Sequence, residues 1–200
     1  MIREQKFYVY FQSFTNTFGE IAELKKLYDS ALIDDRICGM IIGTRPDCID
    51  AKKLELICEY SNKYDIWLEL GLQSSSNKTL NFLKRGHTVE HYLTAAKLCN
   101  EYNLKFATHI IAGLPYENEN DMINTARTVA QSNADGIKIH SLYIIKNTEL
   151  AQIYEREIFK LLTFDEYVNI VCKIIKLLPD NMIYHRLTGE TDNDKIVAPE

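Results

Sequence analysis

The chain has 200 residues, 46% of them apolar and 26% charged, with a formal net charge of −5. This is enough for one domain with a sizeable core, in a composition ordinary for a soluble protein. The acidic balance argues against bulk adhesion to nucleic acid, though not against a local basic groove. No apolar run approaches membrane-spanning length and residues 1–20 lack a signal-peptide core. The five cysteines, Cys38, Cys48, Cys58, Cys99 and Cys172, are scattered and odd in number and form no CxxC or CxxxC pair. They suit a reducing cytoplasm and make no complete iron–sulfur or zinc site.

In chain order, residues 7–14, FYVYFQSF, are aromatic and β-branched enough for a strand, and Thr15, Asn16, Thr17 and Gly19 follow as a turn. Ile21, Leu24, Tyr28 and Leu32 repeat at helical spacing. Residues 37–42, ICGMII, read as a buried strand ending in Gly43, Thr44, Arg45 and Pro46. Leu54, Ile57, Cys58 and Ser61 mark a helix that Asp50 is placed to cap.

The stretch WLELGLQSSSNKTLNFLKRGHT, residues 67–88, sets the pattern for the rest. Trp67, Leu68, Leu70 and Leu72 make a strand buried on both faces, Gln73 to Asn77 a polar turn, and Leu80 with Leu83 a helix that Gly86 stops. In a parallel sheet such a turn lies at the carboxyl end of the strand, where ligands bind. Gln73 can donate and accept there, and Arg85 can clamp a carboxylate with two bonds.

Residues 89–102 are helical, 105–112 (KFATHIIA) a strand ending at Gly113-Leu114-Pro115, 121–132 a helix, and 136–145 (GIKIHSLYII) another strand. Asn147 and Thr148 cap a helix over 149–159. Thr163 to Glu166 resemble a capping box ahead of an amphipathic helix through Leu178, and residues 182–187 suggest a short last strand. Residues 191–200 read as a frayed tail. Strand–helix alternation without a linker predicts one α/β domain over 1–200, with a parallel sheet and right-handed crossovers.

Polar residues gather at the strand ends: Gln12, Ser13, Thr15 and Asn16; Thr44 and Arg45; Gln73 and Ser74; His109; His140 and Tyr143. In a barrel-like sheet they converge on one mouth. His87 and His91 are read as solvated cap residues rather than a zinc pair, since HTVEH lacks the glutamate that HExxH needs. Lys138 faces away from Ile137 and Ile139, and a place on the sheet rim is expected for it. His109 is either an inward ligand contact or a satisfied core histidine, and Arg45 either binds an anion or caps a loop.

The runs GTRPDC at 43–48, LELGLQS at 68–74, RGHTVE at 85–90, HIIAGLP at 109–115 and DGIKIHSLYIIKNTEL at 135–150 together resemble radical SAM proteins, in order from about Tyr8 to about Gly189. The blocks are similar to those of the Elongator catalytic subunit, which modifies the wobble uridine of tRNA. The likeness is greater to the small bacterial YhcC/YtqA-like family, through YFQSFTNT at 10–17, THIIAGLP at 108–115 and HRLTGE at 185–190. The resemblance implies a partial (β/α) TIM-like barrel of parallel strands. It also implies S-adenosylmethionine and a [4Fe-4S] cluster as cofactors, the cluster held by three cysteines in a loop after the first barrel strand. That loop should precede YFQSFTNT. On this reading the chain lacks the first strand and cluster loop, spans strands two to six, builds no cluster and is inactive alone. The partners implied are tRNA and an electron donor such as flavodoxin or ferredoxin, with no membrane. An open sheet edge gives such a fragment reason to form a homodimer.

The resemblance assigns site residues one by one. Phe14 and Thr15, with Gln12 and Ser13 nearby, meet the amino acid end of S-adenosylmethionine, although the usual glycine-rich sequence of that turn is absent. Gly43 stands where a ribose-binding carboxylate is usual, which leaves that role vacant or passes it to Thr44. Gln73 matches a ribose contact and Arg85 a partner for the ligand carboxylate. His109 and Ile111 lie beside the adenosine, the Ile111 backbone placed to read adenine. Two alternatives stay open: a non-catalytic barrel binding an adenosine ligand or a partner, and a complete TIM-like enzyme using a metal or phosphate, which the missing phosphate loop and metal cluster disfavour.

Overall fold

Six parallel strands in sequential order make the frame of the molecule. The computed structural model describes residues 5–156, 159–189 and 193–199. In it β1 (Phe7–Phe11), β2 (Ile37–Thr44), β3 (Asp65–Gln73), β4 (Lys105–Ala112), β5 (Gly136–Ser141) and β7 (Ile183–Arg186) lie side by side in that order, each pair parallel. The crossovers carry α1 (Ile21–Ala31), α2 (Ala51–Ser61), α3 (Asn77–Phe82) with α4 (Val89–Glu101), α5 (Glu119–Gln131), and α6 (Glu149–Glu155) with α7 (Phe164–Ile175). A separate antiparallel pair joins β6 (Ile144–Ile145) to β8 (Ile196–Ala198).

Strand alternation divides the sheet into two faces. On β3, Ile66, Leu68, Leu70 and Leu72 enter the main core with Leu54, Tyr92 and Phe106. Trp67, Glu69, Gly71 and Gln73 point the other way, into cavities on the opposite face. The sheet is curled around that second face. Lys138 Nζ on β5 donates to Tyr10 Oη on β1 at 3.1 Å, although four strand steps separate them. In a flat sheet four steps span roughly 19 Å at about 4.8 Å each, so the bond requires the curvature of a half-barrel.

Caps fall where side chains can satisfy the first turn. Asp50 accepts from Lys53 N at 3.0 Å, and Thr88 with His91, and Thr163 with Glu166, close capping boxes. The main departures are local. The strand expected over 136–145 breaks after Ser141, because Ile144 and Ile145 pair with β8 instead of continuing the sheet. That pairing also orders Ile196–Ala198, inside the tail expected to fray; residues 191, 192 and 200 of that stretch, and 157–158 of the helix expected over 149–159, lie outside the described residues. The helix after β3 stops at Phe82, and Lys84 and Gly86 take positive φ values of 52° and 74°. No described helix is long and apolar enough to cross a membrane.

The hydroxyl of Tyr92, wholly buried, reaches Thr108 Oγ1 at 2.7 Å and Ser132 Oγ at 2.8 Å and so ties α4 to β4 and the end of α5. Tyr92→Phe removes both bonds and should lower stability by about 1–2 kcal/mol, read as a fall in Tm of roughly 2–8 °C. Tyr102→Phe, which loses only an exposed 3.3 Å contact to Glu55, should stay within about 0.5 kcal/mol. Equal effects would mean the buried network contributes nothing special.

Candidate functional site

A polar cavity of about 230 Å³ opens inside the curled sheet at the carboxyl ends of the strands. It is lined from β1 and its following turn by Tyr10, Gln12 and Phe14, and from β2 by Gly43, Thr44 and Arg45. Glu69, Gly71 and Gln73 of β3 and Arg85 beyond α3 form the next part of the wall, and His109, Lys138, His140 and Arg186 complete it. Alternation explains the set. Glu69, Gly71 and Gln73 on β3, and Lys138 and His140 on β5, are two residues apart and so share the concave face, while the residues between them face the helices.

The centre is Glu69, whose side chain is fully buried. One carboxylate oxygen pairs with Lys138 Nζ; the other accepts from Tyr10 Oη at 2.6 Å and lies 3.0 Å from His109 Nε2. His185 Nδ1 stands 4.0 Å away, its ring packed edge-on against Trp67 at 4.7 Å. Burial alone would raise the Glu69 pKa. The bond and charge of His109, then Lys138 and Tyr10, outweigh burial and hold the carboxyl at about 2. The Tyr10 phenol is pushed upward by burial and by Glu69. His140 stacks on His109 at 5.5 Å, and burial, then His109, Arg186 and Lys138, lower its pKa to about 4.

A second corner is built at the strand tips. A Cβ added to Gly71 would stand 2.7 Å from Gln73 Nε2 and 3.5 Å from an Arg85 terminal nitrogen, so both side chains lie over the bare glycine. The predicted amide and guanidinium therefore share one rim. Gln73 and Phe14 both sit at positive φ, 68° and 61°, a conformation that costs non-glycine residues energy and concentrates at functional positions. Arg85 is half-buried, and its Nε is buried with no hydrogen-bond partner among the described residues. Burial, then the neighbouring Arg45, lower its pKa. Arg45 itself is clamped on Asp47 by two bonds of 3.0 and 2.6 Å and reaches Gly86 O at 3.3 Å, so it braces the loop.

Of the expected site residues, Gln73, Arg85, Phe14, Thr44 and His109 line this cavity. Thr44 is buried with its hydroxyl 2.6 Å from that of Thr17. Thr15 borders a neighbouring cavity beside Phe14 and Phe18, and Ile111, in register with His140, lines neither. Phe14 is 99% exposed at the lip.

Two expectations are overturned. Lys138 is buried against Glu69 rather than on a solvated rim, because the polar face of β5 is the concave one. His87 is buried, with Nε2 3.4 Å from Leu72 O, and only His91 is an exposed cap. Glu69, Tyr10 and Arg186 were missed. The alternation Trp67, Glu69, Gly71, Gln73 against Leu68, Leu70, Leu72 was the available signal for Glu69. Glu117 also escaped notice: it accepts from Ser74 Oγ at the end of β3, and burial raises its pKa.

Residues 8–129 match the Radical SAM superfamily and residues 134–200 the Radical_SAM C-terminal domain. The chain belongs to the radical SAM superfamily. It is 35% identical to Protein YhcC of Escherichia coli (strain K12), over 98% of this chain and 64% of that protein. A tRNA uridine(34) acetyltransferase of Methanocaldococcus jannaschii is 28% identical over 80% of this chain and 29% of its own length. Among solved structures, an archaeal Methanocaldococcus infernus Elp3 with an N-terminal deletion superposes with a TM-score of 0.81 at 22% identity, over 97% of this chain and 50% of that one. That likeness establishes the radical SAM half-barrel. The chain spans less than two thirds of the relatives matched over nearly its whole length.

The radical SAM cofactors fit these residues unequally. Cys38, Cys48, Cys58, Cys99 and Cys172 sit on different elements, and no group of three or more His, Cys, Asp or Glu among the described residues is placed to hold a metal. The residues present do not fit a [4Fe-4S] cluster. The Gln73–Arg85 corner, with its unpartnered buried Nε, does suit the carboxylate end of an adenosyl ligand.

Glu69→Gln should cost about 3–5 kcal/mol at neutral pH, since it leaves Lys138 buried without its counter-charge. The wild-type carboxyl has its pKa lowered from 4.5 to about 2 on folding. Its contribution is therefore complete above the unfolded value and lost as pH falls toward 2. Urea unfolding between pH 7 and pH 2 should show that loss in wild type and lack its Glu69 component in the variant; superimposable pH curves would refute an ionised, paired Glu69.

Proposed function

We propose that the cavity binds S-adenosylmethionine through its Gln73–Arg85 corner and that the protein serves a radical SAM reaction on tRNA. One observation carries the ligand: a half-buried guanidinium with an unpartnered buried Nε, beside an amide at positive φ, both over a glycine that keeps the space open. Arg85 would take the ligand carboxylate in a two-bond fork and Gln73 the ribose hydroxyls. Phe14 at the lip offers an aromatic face to the adenosine side, and His109 stands on the wall beneath. S-adenosylmethionine, once bound, would supply the adenosyl group used for hydrogen abstraction; the residues here bind it, orient it and limit the access of water. The tRNA substrate is supported by the name of a relative, a tRNA uridine(34) acetyltransferase, and by nothing in the cavity itself.

The dispersal of the five cysteines favours keeping a second reading, a non-catalytic half-barrel that binds an adenosine ligand. Iron and sulfide uptake by the full-length natural protein on anaerobic reconstitution separates the two: uptake supports the enzyme, none the binding module.

Titration calorimetry with S-adenosylhomocysteine tests the corner without any cluster. Arg85→Gln should weaken binding about tenfold or more, the loss of a charge-assisted pair, and Gln73→Ala by several-fold. Arg127→Gln, an exposed change on α5, should leave it unchanged. Equal affinities in all four proteins would overturn the assignment. A deletion strain with unchanged wobble uridines would remove the tRNA reading alone.

A further inference from the structure

Between Gln73 and Arg85 lies α3, and a helix of six residues does not hold its own shape in water. Only Thr79 and Leu80 of α3 are buried. The backbone on either side is strained, with φ 68° at Gln73 before it and φ 52° at Lys84 after it. Arg85 N donates to Leu80 O at 3.0 Å, so the place of α3 sets the place of the guanidinium. The grip that fixes this helix has to come from elsewhere in the fold.

Much of it comes from the turn after β4. Glu117 N donates to Leu114 O at 3.2 Å and closes a turn with Pro115 second and Tyr116 third. A positive φ at the third position is the mark of a type II turn, where glycine or asparagine is usual. Tyr116 stands there at φ 65°, with 57% of its surface exposed. Its ring meets that of Phe82, the last residue of α3, edge-on with centroids 5.0 Å apart. The adjacent Glu117 takes the other end. Its carboxylate accepts from Ser74 Oγ, and the wholly buried Ser74 accepts from Ser76 N at 2.9 Å. Ser76 caps α3 by accepting from Thr79 N at 3.2 Å. Ser75 is held separately, its N donating to Thr125 Oγ1 on α5 at 2.9 Å.

We propose that Tyr116 and Glu117 are positioning residues that clamp α3 at both ends and so hold Gln73 and Arg85 at the spacing the adenosyl ligand needs. This deepens the functional reading above and rests on its placing of that ligand at the Gln73–Arg85 corner. Neither residue is part of the cavity lining, so both act through the helix. The role asks Glu117 for an acceptor oxygen rather than a charge. It asks Tyr116 for a ring rather than a hydroxyl, which accounts for a tyrosine at a backbone position that favours glycine.

Hydrogen exchange and calorimetric titration with S-adenosylhomocysteine, both on the full-length protein, test the clamp. Glu117→Ala should speed amide exchange at Ser76 and Thr79 about tenfold and weaken S-adenosylhomocysteine about three- to tenfold. Glu117→Gln keeps an acceptor and should follow wild type in both; behaviour like the alanine variant would overturn the acceptor role. Tyr116→Gly suits the positive φ but removes the ring. It should speed exchange at Arg85 and weaken binding about two- to tenfold, while Tyr116→Phe follows wild type. Tyr92→Phe, destabilised at a distance from the corner, should bind as wild type does, which separates positioning from a general loss of stability. Thermal melts identify the variants that fold, and if Glu117→Ala or Tyr116→Gly does not, the other decides. Unchanged affinity in the folded variants overturns the proposal, whatever the exchange rates. Should wild type itself fail to bind S-adenosylhomocysteine, the adenosyl reading falls and exchange alone judges the clamp: faster exchange between Ser76 and Arg85 keeps it, and unchanged rates sink it.

Discussion

A single carboxylate in the middle of the central region of the sheet fixes both the curvature and the chemistry of this protein. Burying Glu69 unpaired would cost several kcal/mol, so its neighbours must bring charge and donors to it. They come from β1, β4 and β5, with His185 of β7 close by. A flat sheet cannot bring Tyr10 and Lys138 together on one carboxylate and within 3.1 Å of each other. Satisfying Glu69 and curling the sheet are thus one event, and the cavity is the space that curling leaves. Packing of the apolar face against the helices supplies the general driving force, while the polar face decides the radius.

The cavity divides its work between two kinds of scaffold. The Gln73–Arg85 corner rides on loops whose backbone is strained, with Gln73 at φ 68° and Phe14 at φ 61°. Ser74, just beyond Gln73, is anchored by the half-buried Glu117 and itself accepts from Ser76 N at 2.9 Å. That second layer keeps a strained turn in one conformation, as a binding corner requires. The inner wall is different. His109, Lys138 and His140 project from regular strands whose backbone bonds already hold them, so their spacing is set by the ladder rather than by loop packing.

Much of this was legible in the sequence because the signals were local. The 3.6-residue repeat of Tyr167, Ile170, Val171 and Ile174 gives α7, and the caps Asp50, Thr88 and Thr163 set helix starts from contacts three residues away. Gln73 and Arg85 stood out by place, at a strand end and just before a helix-stopping glycine. The misses are all nonlocal. Nothing in DGIKIH says whether the face of Lys138 meets water or a carboxylate 69 positions earlier; curvature decides that, and curvature is a property of the whole sheet. The order of Ile196–Ala198 depends on two residues some fifty positions back. His87 reads as a solvated cap until β3 is seen to pass its carbonyl at Leu72.

The same separation bears on how the site can change. A charge on the inner wall cannot be altered alone: removing Lys138 strands Glu69, and removing Glu69 leaves Lys138 buried without its counter-charge. The wall is therefore coupled to the stability of the half-barrel, and substitutions there act on fold and ligand together. Arg186, in register with Lys138, and His140, stacked on His109, line the same cavity. Through register and stacking they too depend on the curvature that the paired carboxylate sets.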